Sequence, residues 1–355
     1  MKKVFVINPG STSTKLALFE DEQQIWRVSV EHDPAEIKKY EVIYDQLDMR
    51  YETIMGVLKE KEVDLSTLDA VVSRGGLLPP APSGAVEVNE AMIRVLRERP
   101  VNHHASNLGC AIAYRIAQPL HIPAYIYDPV TVDEMIDLVR ITGLKDIRRY
   151  GQGHNLNMRA AALRACKEHG CEYADTTLLV AHLGGGISMS LHHQGRIVDM
   201  LSDDNAAFSP ERAGLIPAFQ LVKKIRDEKL DYDATMKILQ RRGGLMSHLG
   251  TSDCREVEKM IDAGDTYAEM VYNAMALSVA RGLASLSVVV DGKVDAIVLT
   301  GGLAFSRRFT DEIARRVKFL APVWLIPGEK EMEALAAGAI RVLNGEETAR
   351  TFVEP

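Results

Sequence analysis

The stretch Val4 to Phe19 (VFVINPGSTSTKLALF) places Asn8, Gly10, Ser11, Ser13 and Lys15 in a tight turn between two apolar runs. Proline and glycine break the runs, and small hydroxyl side chains line the break. Hydroxyls and unpaired backbone N–H groups at such a turn make a concave donor surface that suits phosphate oxygens. A single Ser/Thr-rich hairpin turn is equally good as plain structure, so this reading needs a second observation. Leu178 to Asp199 (LLVAHLGGGISMSLHHQGRIVD) supplies it: an apolar run, the turn His182-Leu183-Gly184-Gly185-Gly186, and two further runs divided at Gly195. Gly10 and Gly184 hold equivalent places in two β-β-β units. Three successive glycines cost backbone entropy and pack nothing, which makes sense where a ligand must approach the backbone. His182 stands where the first copy has Asn8. Beside three glycines it reads as a donor to a ligand rather than as a satisfied core histidine. A third glycine turn, Gly301-Gly302, follows the run Ala296 to Thr300 and precedes a helix from about Ser306. That order favours a nucleotide phosphate or the nucleoside beside it.

Charged residues at the ends of other runs complete the candidate set. Arg74 follows the apolar run Asp69 to Ser73 and precedes Gly75-Gly76. Its forked donors suit a carboxylate, and its ordinary alternative is a surface arginine. The stretch Leu77 to Gly84 (LLPPAPSG), with Pro80, cannot be helix and is expected to line a pocket. His103 and His104 precede a helix, where capping and core roles are open to them as well as ligand contact. Asp128 ends a run and precedes Pro129, a pair common in turns. Arg212 lies in the polar loop Ser209-Pro210-Glu211-Arg212, where a salt bridge to Glu211 is the structural alternative. Glu329, Glu331 and Glu333 cluster at the start of the last helix, and acidic residues there complement the helix dipole.

The elements that must position these groups alternate along the chain. The first half reads as three strands, a helix from Tyr44 to Glu62, a strand Asp69 to Ser73, helices near Asn89 to Arg99 and His104 to Ala117, and a strand Ala124 to Tyr127. The second half repeats the plan. Its three strands precede a helical region from Pro210 through Lys229, helices near Tyr232 to Gln240 and Arg255 to Ala263, and a long helix Thr266 to Val290. A strand Ala296 to Thr300, a helix Ser306 to Phe319, a strand Val323 to Ile326 and a helix Glu331 to Leu343 close the chain. Alternation on this scale means mixed sheets covered by helices, an α/β protein. A chain of 355 residues, 46% of them hydrophobic, exceeds what one core usually supports. RRYGQG, Arg148 to Gly153, interrupts the elements and divides the chain into expected domains 1–150 and 151–355. Two such domains leave a cleft, a favoured ligand site.

Composition excludes several classes. A net charge of −7 argues against a nucleic-acid protein, so an anionic ligand requires locally concentrated basic groups or a metal ion. The four cysteines suit a reduced interior, and Cys166, Cys171 and His169 lack a fourth metal ligand. No apolar run is expected to reach membrane-spanning length, and Met-Lys-Lys before a strand lacks a signal-peptide core. The expected location is cytoplasmic.

The duplicated plan, with one phosphate turn per half and a glycine turn for adenosine, resembles the superfamily of acetate and sugar kinases, heat-shock chaperones and actin. It implies two actin-like ATPase (ribonuclease H-like) domains, each a mixed five-stranded sheet flanked by helices. NPGSTSTK, Asn8 to Lys15, looks like the opening of the carboxylate kinases, the acetokinase family, and HLGGGIS, His182 to Ser188, is similar to their second phosphate motif. Within that family the shorter chain, SRGGLLPPAPSG at Ser73 to Gly84, YGQGHN at Tyr150 to Asn155 and EMEALA at Glu331 to Ala336 resemble the butyrate kinases more than the acetate kinases. Acetate kinases carry Phe-His-Gly-Thr-Ser-His where this chain has Gln152-Gly153-His154-Asn155, so their histidine does not transfer one-to-one to His154.

The resemblance implies reversible transfer of the ATP γ-phosphoryl group to butanoate, with ATP/ADP and Mg²⁺ as cofactors. It implies a first domain for acyl substrate and phosphate, a second for nucleotide, and dimers or larger assemblies. Arg74 then clamps the acid, Arg212 stabilises the phosphoryl group in flight, and Asp128 acts near the metal or the nucleophile. Glu331, with Asn8, serves the metal. Pro80 and one of His103 and His104 fall in the acyl pocket. Asp253 and Arg255, in SDCRE, resemble another family motif, for which helix capping is an equally good account. A carboxylate nucleophile is already an anion at neutral pH and requires no general base, so positioning and electrostatics supply the catalysis. Other acceptors in the same reading are branched or shorter acids such as isobutyrate, propionate and acetate. A sugar kinase, with Asp128 as base, and a non-catalytic actin-type nucleotide-binding module are the readings from other classes. The pair Arg74 and Arg212 favours an anionic acceptor over both.

Overall fold

Along Lys3–Pro9, the side chains of Phe5 and Ile7 enter one apolar core while Val4 and Val6 turn to the opposite face, and all four are fully buried. A strand apolar on both faces is a central strand covered twice. In the computed structural model, which describes residues 1–202 and 204–354, it lies inside the first of two sheets. Pro355, the last residue of the expected second domain, lies outside the described residues. The strands in chain order are β1 (Lys3–Pro9), β2 (Ser13–Glu20), β3 (Gln23–Glu31), β4 (Ala70–Arg74), β5 (Ala85–Glu87), β6 (Ala124–Tyr127), β7 (Leu178–Leu183), β8 (Ile187–His193), β9 (Arg196–Leu201), β10 (Ala296–Gly301), β11 (Val323–Pro327) and β12 (Arg350–Thr351).

The chain forms two compact units, one of Met1–Asp133 with the segment from Lys330 onward, the other of Glu134–Glu329. In the first, the sheet order is β12-β5-β6-β4-β1-β2-β3. The pairs β1–β2 and β2–β3 are antiparallel, and β1–β4 and β4–β6 are parallel. Helices Leu47–Glu60, Glu90–Glu98 and Asn107–Ala117 cover the face of Phe5 and Ile7. Helix Glu331–Leu343 packs on β1, β4 and β6. Its Gly338 lies so close to the Tyr127 ring that a Cβ there would come within 2.4 Å of it. That contact, and Glu347, which accepts from the Tyr127 hydroxyl at 2.7 Å, draw the C-terminal segment into the first unit. The division therefore differs from the one expected at Arg148 to Gly153. The first sheet also has seven strands where five were expected. The short β5 follows the proline-rich loop and β12 pairs with it in parallel, and neither has an alternating pattern long enough to read.

In the second unit the order is β11-β10-β7-β8-β9, with β7–β8 and β8–β9 antiparallel and β10 parallel to both β7 and β11. This repeats the β6-β4-β1-β2-β3 part of the first sheet, and the duplication expected from the sequence is present. Helix Asn155–His169 packs on β7, β10 and β11, and helix Thr266–Ser287 packs on β7, β8 and β9. Gly282 permits the second contact, since a Cβ there would meet the Met189 methyl at 2.3 Å. Contrary to the sequence expectation, the stretch Thr266–Val290 is long and apolar enough to cross a membrane, with mean hydropathy 1.5. Val271, Met275, Val279 and Leu283 nonetheless place it as a core helix of this unit. Pro210 does not open a helix. Ser209 Oγ bonds the Gly185 carbonyl at 2.6 Å and accepts from the Arg212 N–H at 3.1 Å, which holds Ser209 to Arg212 as a loop, and the helix begins only at Ala218.

Candidate active site

Pairing of β1 with β2 sets Asn8 directly opposite Lys15, so the two side chains emerge on one face of the hairpin. Parallel pairing of β1 with β4 runs to Ile7–Ser73, and the next residue on each strand is Asn8 and Arg74. Both reach Glu331, the first residue of its helix. Asn8 Nδ2 donates to Glu331 Oε2 at 2.9 Å, and Arg74 forms an ion pair with Glu331 Oε1. Three residues from three distant parts of the sequence are thereby one polar cluster, half-buried at Arg74 and Glu331. Gly75 and Gly76 make room behind it, because a Cβ on either would come within 2.8 Å of Pro129 or of Asn107 and Leu96.

Asp128 follows β6 at a left-handed φ of 40°, an uncommon conformation for a residue other than glycine. It is buried, and its carboxylate accepts the Gly84 N–H at 2.7 Å, which anchors the end of the proline-rich loop. Pro80 is exposed on that loop. His104 Nδ1 accepts the Ser106 N–H at 3.1 Å, so the neutral ring carries its proton on Nε2, and the helix starts at Asn107 rather than at His104. Partial burial, and after it the positive charges of Arg74 and Arg50, hold the His104 pKa below the usual histidine value. Both histidines are exposed at the surface, and His103 makes no hydrogen bond among the described residues. Of the two, His104 is the one that feels the charge of Arg74.

In the second unit, His182 on β7 is buried between its sheet neighbours Ser188 on β8 and Thr300 on β10. A chain of hydrogen bonds fixes its tautomer. The Gly328 carbonyl can only accept, so Thr300 Oγ1 donates to it at 3.2 Å. The lone pairs of Thr300 then face Asn157 Nδ2 at 3.5 Å, and the same amide donates to His182 Nδ1 at 2.8 Å. With Nδ1 accepting, the neutral ring keeps its proton on Nε2. Nε2 lies 3.3 Å from Glu329 Oε1. It also fills the space a Gly184 side chain would need, since a Cβ there would stand 2.9 Å from it. The His154 ring stacks on His182 at 3.9 Å, held by a 2.8 Å contact between its Nδ1 and Ser188 Oγ.

The glycine turn is fitted to Arg212 as well. A Cβ on Gly186 would overlap the guanidinium, 2.2 Å from Nη1. The Glu211 N–H reaches the Gly185 carbonyl at 3.4 Å, so the loop and the turn are tied through backbone as well as through Ser209. His182, Gly184, Gly185, Gly186 and Arg212 are therefore gathered at one turn. Gly301, at φ 90°, lies against Leu183, whose carbonyl oxygen would be 2.4 Å from an added Cβ, and Gly302 beside it is exposed. Asp253 and Arg255 form a local pair. Asp253 caps its helix through the Arg255 N–H at 2.9 Å, and its pKa is lowered to about 2, chiefly by the Arg255 side chain. The four cysteines are free, and no metal-ligand cluster of three or more His, Cys, Asp or Glu occurs among the described residues.

Sequence reasoning did not find Asn157, Thr300 and Arg50. Asn157 and Thr300 act only through His182, and Arg50 sits in a helix whose apolar stripe alone was legible. A polar residue on the buried side of such a stripe is the signal that points to Arg50.

Comparison with known proteins adds four findings. The acetokinase family pattern matches residues 140–321. Butyrate kinase 2 of Clostridium acetobutylicum is 44% identical over 352 residues, covering 99% of this chain and 99% of that protein. Among solved structures, the acetate kinase of Porphyromonas gingivalis aligns with a TM-score of 0.82 at 20% identity, over 97% of this chain and 100% of that one. A propionate kinase from Francisella tularensis aligns at 0.74 and 18% identity, over 95% and 99%. At these identities the two structures share the fold.

Proposed function

The chain belongs to the acetokinase family, and on that footing we propose that it is a butyrate kinase, transferring the ATP γ-phosphoryl group reversibly to butanoate. The observation that carries the proposal is the 44% identity to a butyrate kinase along essentially the whole of both chains. In the forward direction a carboxylate oxygen of butanoate bonds to the γ-phosphorus. The bond from that phosphorus to the bridging oxygen breaks, and ADP and butanoyl phosphate leave.

The acid is already an anion, so the residues hold charge rather than remove a proton. Arg74, paired in the structure with Glu331, exchanges that carboxylate for the carboxylate of the acid. Its forked donors are suited to both. His104, with a protonated Nε2, and the loop at Pro80 border the acyl group. Asp128 keeps the loop end in place through Gly84. The turn Asn8, Gly10, Ser11, Ser13 and Lys15 and the turn Gly184 to Gly186 take phosphate oxygens, and Gly301 and Gly302 take the nucleoside. His182 donates from Nε2 to the transferring phosphoryl group, and Arg212 stabilises the charge that develops on it.

Glu331, a single carboxylate beside Asn8, fits Mg²⁺, which keeps several waters and takes few protein ligands besides nucleotide phosphates. Held there by Glu331, the ion would offset phosphate charge. A cytoplasmic homodimer completes the proposal. Helix Thr266–Ser287 leaves Met270 and Ala274 exposed and Leu277 half-exposed, a face a second subunit would cover.

Hydroxylamine trapping of the acyl phosphate, across acids from acetate to hexanoate with isobutyrate included, tests the activity and its acceptor. Butanoate should give the highest kcat/KM. Neighbouring acids should follow closely, because one methylene in an apolar pocket is worth only about 1–3 kcal/mol. No hydroxamate from any of these acids would refute the proposal.

A further inference from the structure

Arg50, on helix Leu47–Glu60, is the largest fully buried side chain among the described residues. A guanidinium has five N–H donors, and here all five are engaged. Nε and Nη2 meet Gln46 Oε1 at 3.1 and 3.0 Å. Nη1 meets the Gly10 carbonyl at 2.9 Å and Thr14 Oγ1 at 3.2 Å, and Nη2 meets the Ser11 carbonyl at 3.1 Å. Every acceptor is neutral, and no carboxylate among the described residues pairs with Arg50. Burial lowers its pKa to about 10, which leaves it charged at neutral pH. Thr14 Oγ1, accepting from Arg50, also lies 2.8 Å from His32 Nε2. Burial first, and Arg50 second, disfavour a charge on His32. One uncompensated positive charge thus sits beneath the turn, an arrangement that is costly unless something offsets it.

The peptide geometry shows where the offset belongs. In a trans peptide, C=O and the following N–H point in opposite directions. Carbonyls of Gly10 and Ser11 drawn toward Arg50 therefore turn the N–H groups of Ser11 and Thr12 away from it. Both residues are exposed and lie between β1 and β2, and neither N–H donates to any described residue.

We propose that Arg50 is a positioning residue of the turn Asn8 to Lys15, aiming the Ser11 and Thr12 N–H groups at nucleotide phosphate and placing beneath them a buried cation whose counter-ion is that phosphate. The inference rests on the reading of this turn as a phosphate site. Arg50→Met removes the charge at nearly the same length, and Arg50→Lys keeps the charge with three donors. The measurements are steady-state kinetics and calorimetric binding of ATP and of adenosine, without acid. Arg50→Met should weaken ATP binding and raise its KM at least tenfold, about 1.4 kcal/mol, with adenosine binding and the KM for the acid unchanged. Arg50→Lys should raise the ATP KM about threefold to tenfold. A purely structural role would lower Tm and the active fraction but leave the ATP KM of the folded enzyme alone.

Wild-type ATP affinity in the folded variants overturns the inference. If Arg50→Met does not fold, Arg50→Lys decides by itself, and a wild-type ATP KM in it has the same meaning. Ser13→Ala and Lys15→Met separate this from failure of the underlying reading. If these two leave ATP binding unchanged, the turn is not a phosphate site. If they weaken it and the Arg50 variants do not, only the role of Arg50 falls.

Discussion

Replacing Asn157 with leucine should slow phosphoryl transfer while leaving nucleotide affinity nearly intact. The leucine fills the same volume but presents no donor to His182 Nδ1, which lies 2.8 Å from the Asn157 amide. His182 is 2% exposed, so water does not replace the lost partner. A buried acceptor left unsatisfied costs about 1–3 kcal/mol. The ring escapes that cost only by moving, which takes the donor at Nε2 out of place. On the scale of 1.36 kcal/mol per tenfold, kcat should fall roughly fivefold to 150-fold. Removing a donor to a developing oxyanion costs about 100- to 1000-fold, so His182→Ala sets the ceiling, and Asn157→Leu should fall short of it. Initial rates of hydroxamate formation at saturating ATP and butanoate measure the effect, and ¹⁵N spectra of the imidazole report the tautomer directly. Asn157→Asp gives a second signature. Its carboxylate accepts from Nδ1, which moves the neutral ring's proton off Nε2, so kcat should fall in that variant too. A folded Asn157→Leu enzyme with kcat within twofold of wild type would refute the argument that this chain of bonds sets the donor.

Four further outcomes can be measured. Arg74→Ala should raise the KM for the acid and lower kcat, since the charge both holds the nucleophile and offsets its repulsion from ATP; unchanged kinetics would remove Arg74 from the site. Arg212→Ala should lower kcat far more than it raises either KM. Gly186→Ala should mimic it, because the added methyl would stand 2.2 Å from the Arg212 Nη1 position, and an effect confined to the ATP KM would make Arg212 a ground-state phosphate binder instead. Sedimentation at low micromolar concentration should show a dimer, which Ala274→Arg and Leu277→Arg dissociate without unfolding; a single monomeric species in the wild type would end that proposal.

Much of this protein is local, and local physics is legible in a sequence. β1 and β7 read as buried strands because both faces are apolar, and the turns after them read as ligand turns because proline, glycine and hydroxyls have no better use there. The limits of β6 (Ala124–Tyr127) and of helix Glu331–Leu343 coincide with the expectation, since a periodic run and a clear break mark each end. Helix Ala218–Glu228 was expected too early, because Ser209 competes for backbone groups that a helix beginning at Pro210 would have needed. The short β5 and β12 escaped because two or three residues carry no period.

Sequence by itself determined the duplicated α/β plan, and it marked the two turns with the arginines and histidine beside them as candidates, because each depends on residues a few positions apart. Tertiary structure decided what those residues do to one another. Pairing of β1 with β4 sets Arg74 beside Asn8, and a helix more than 250 residues further on supplies the carboxylate for both. The proton on His182 is placed by a carbonyl at Gly328, and the charge under the first turn comes from Arg50, whose partners are Gly10, Ser11, Thr14 and Gln46. Hydrogen-bond polarity and uncompensated charge are properties of a network closed in space. No spacing along the chain encodes them, since each depends on every partner that packing brings within about 3 Å.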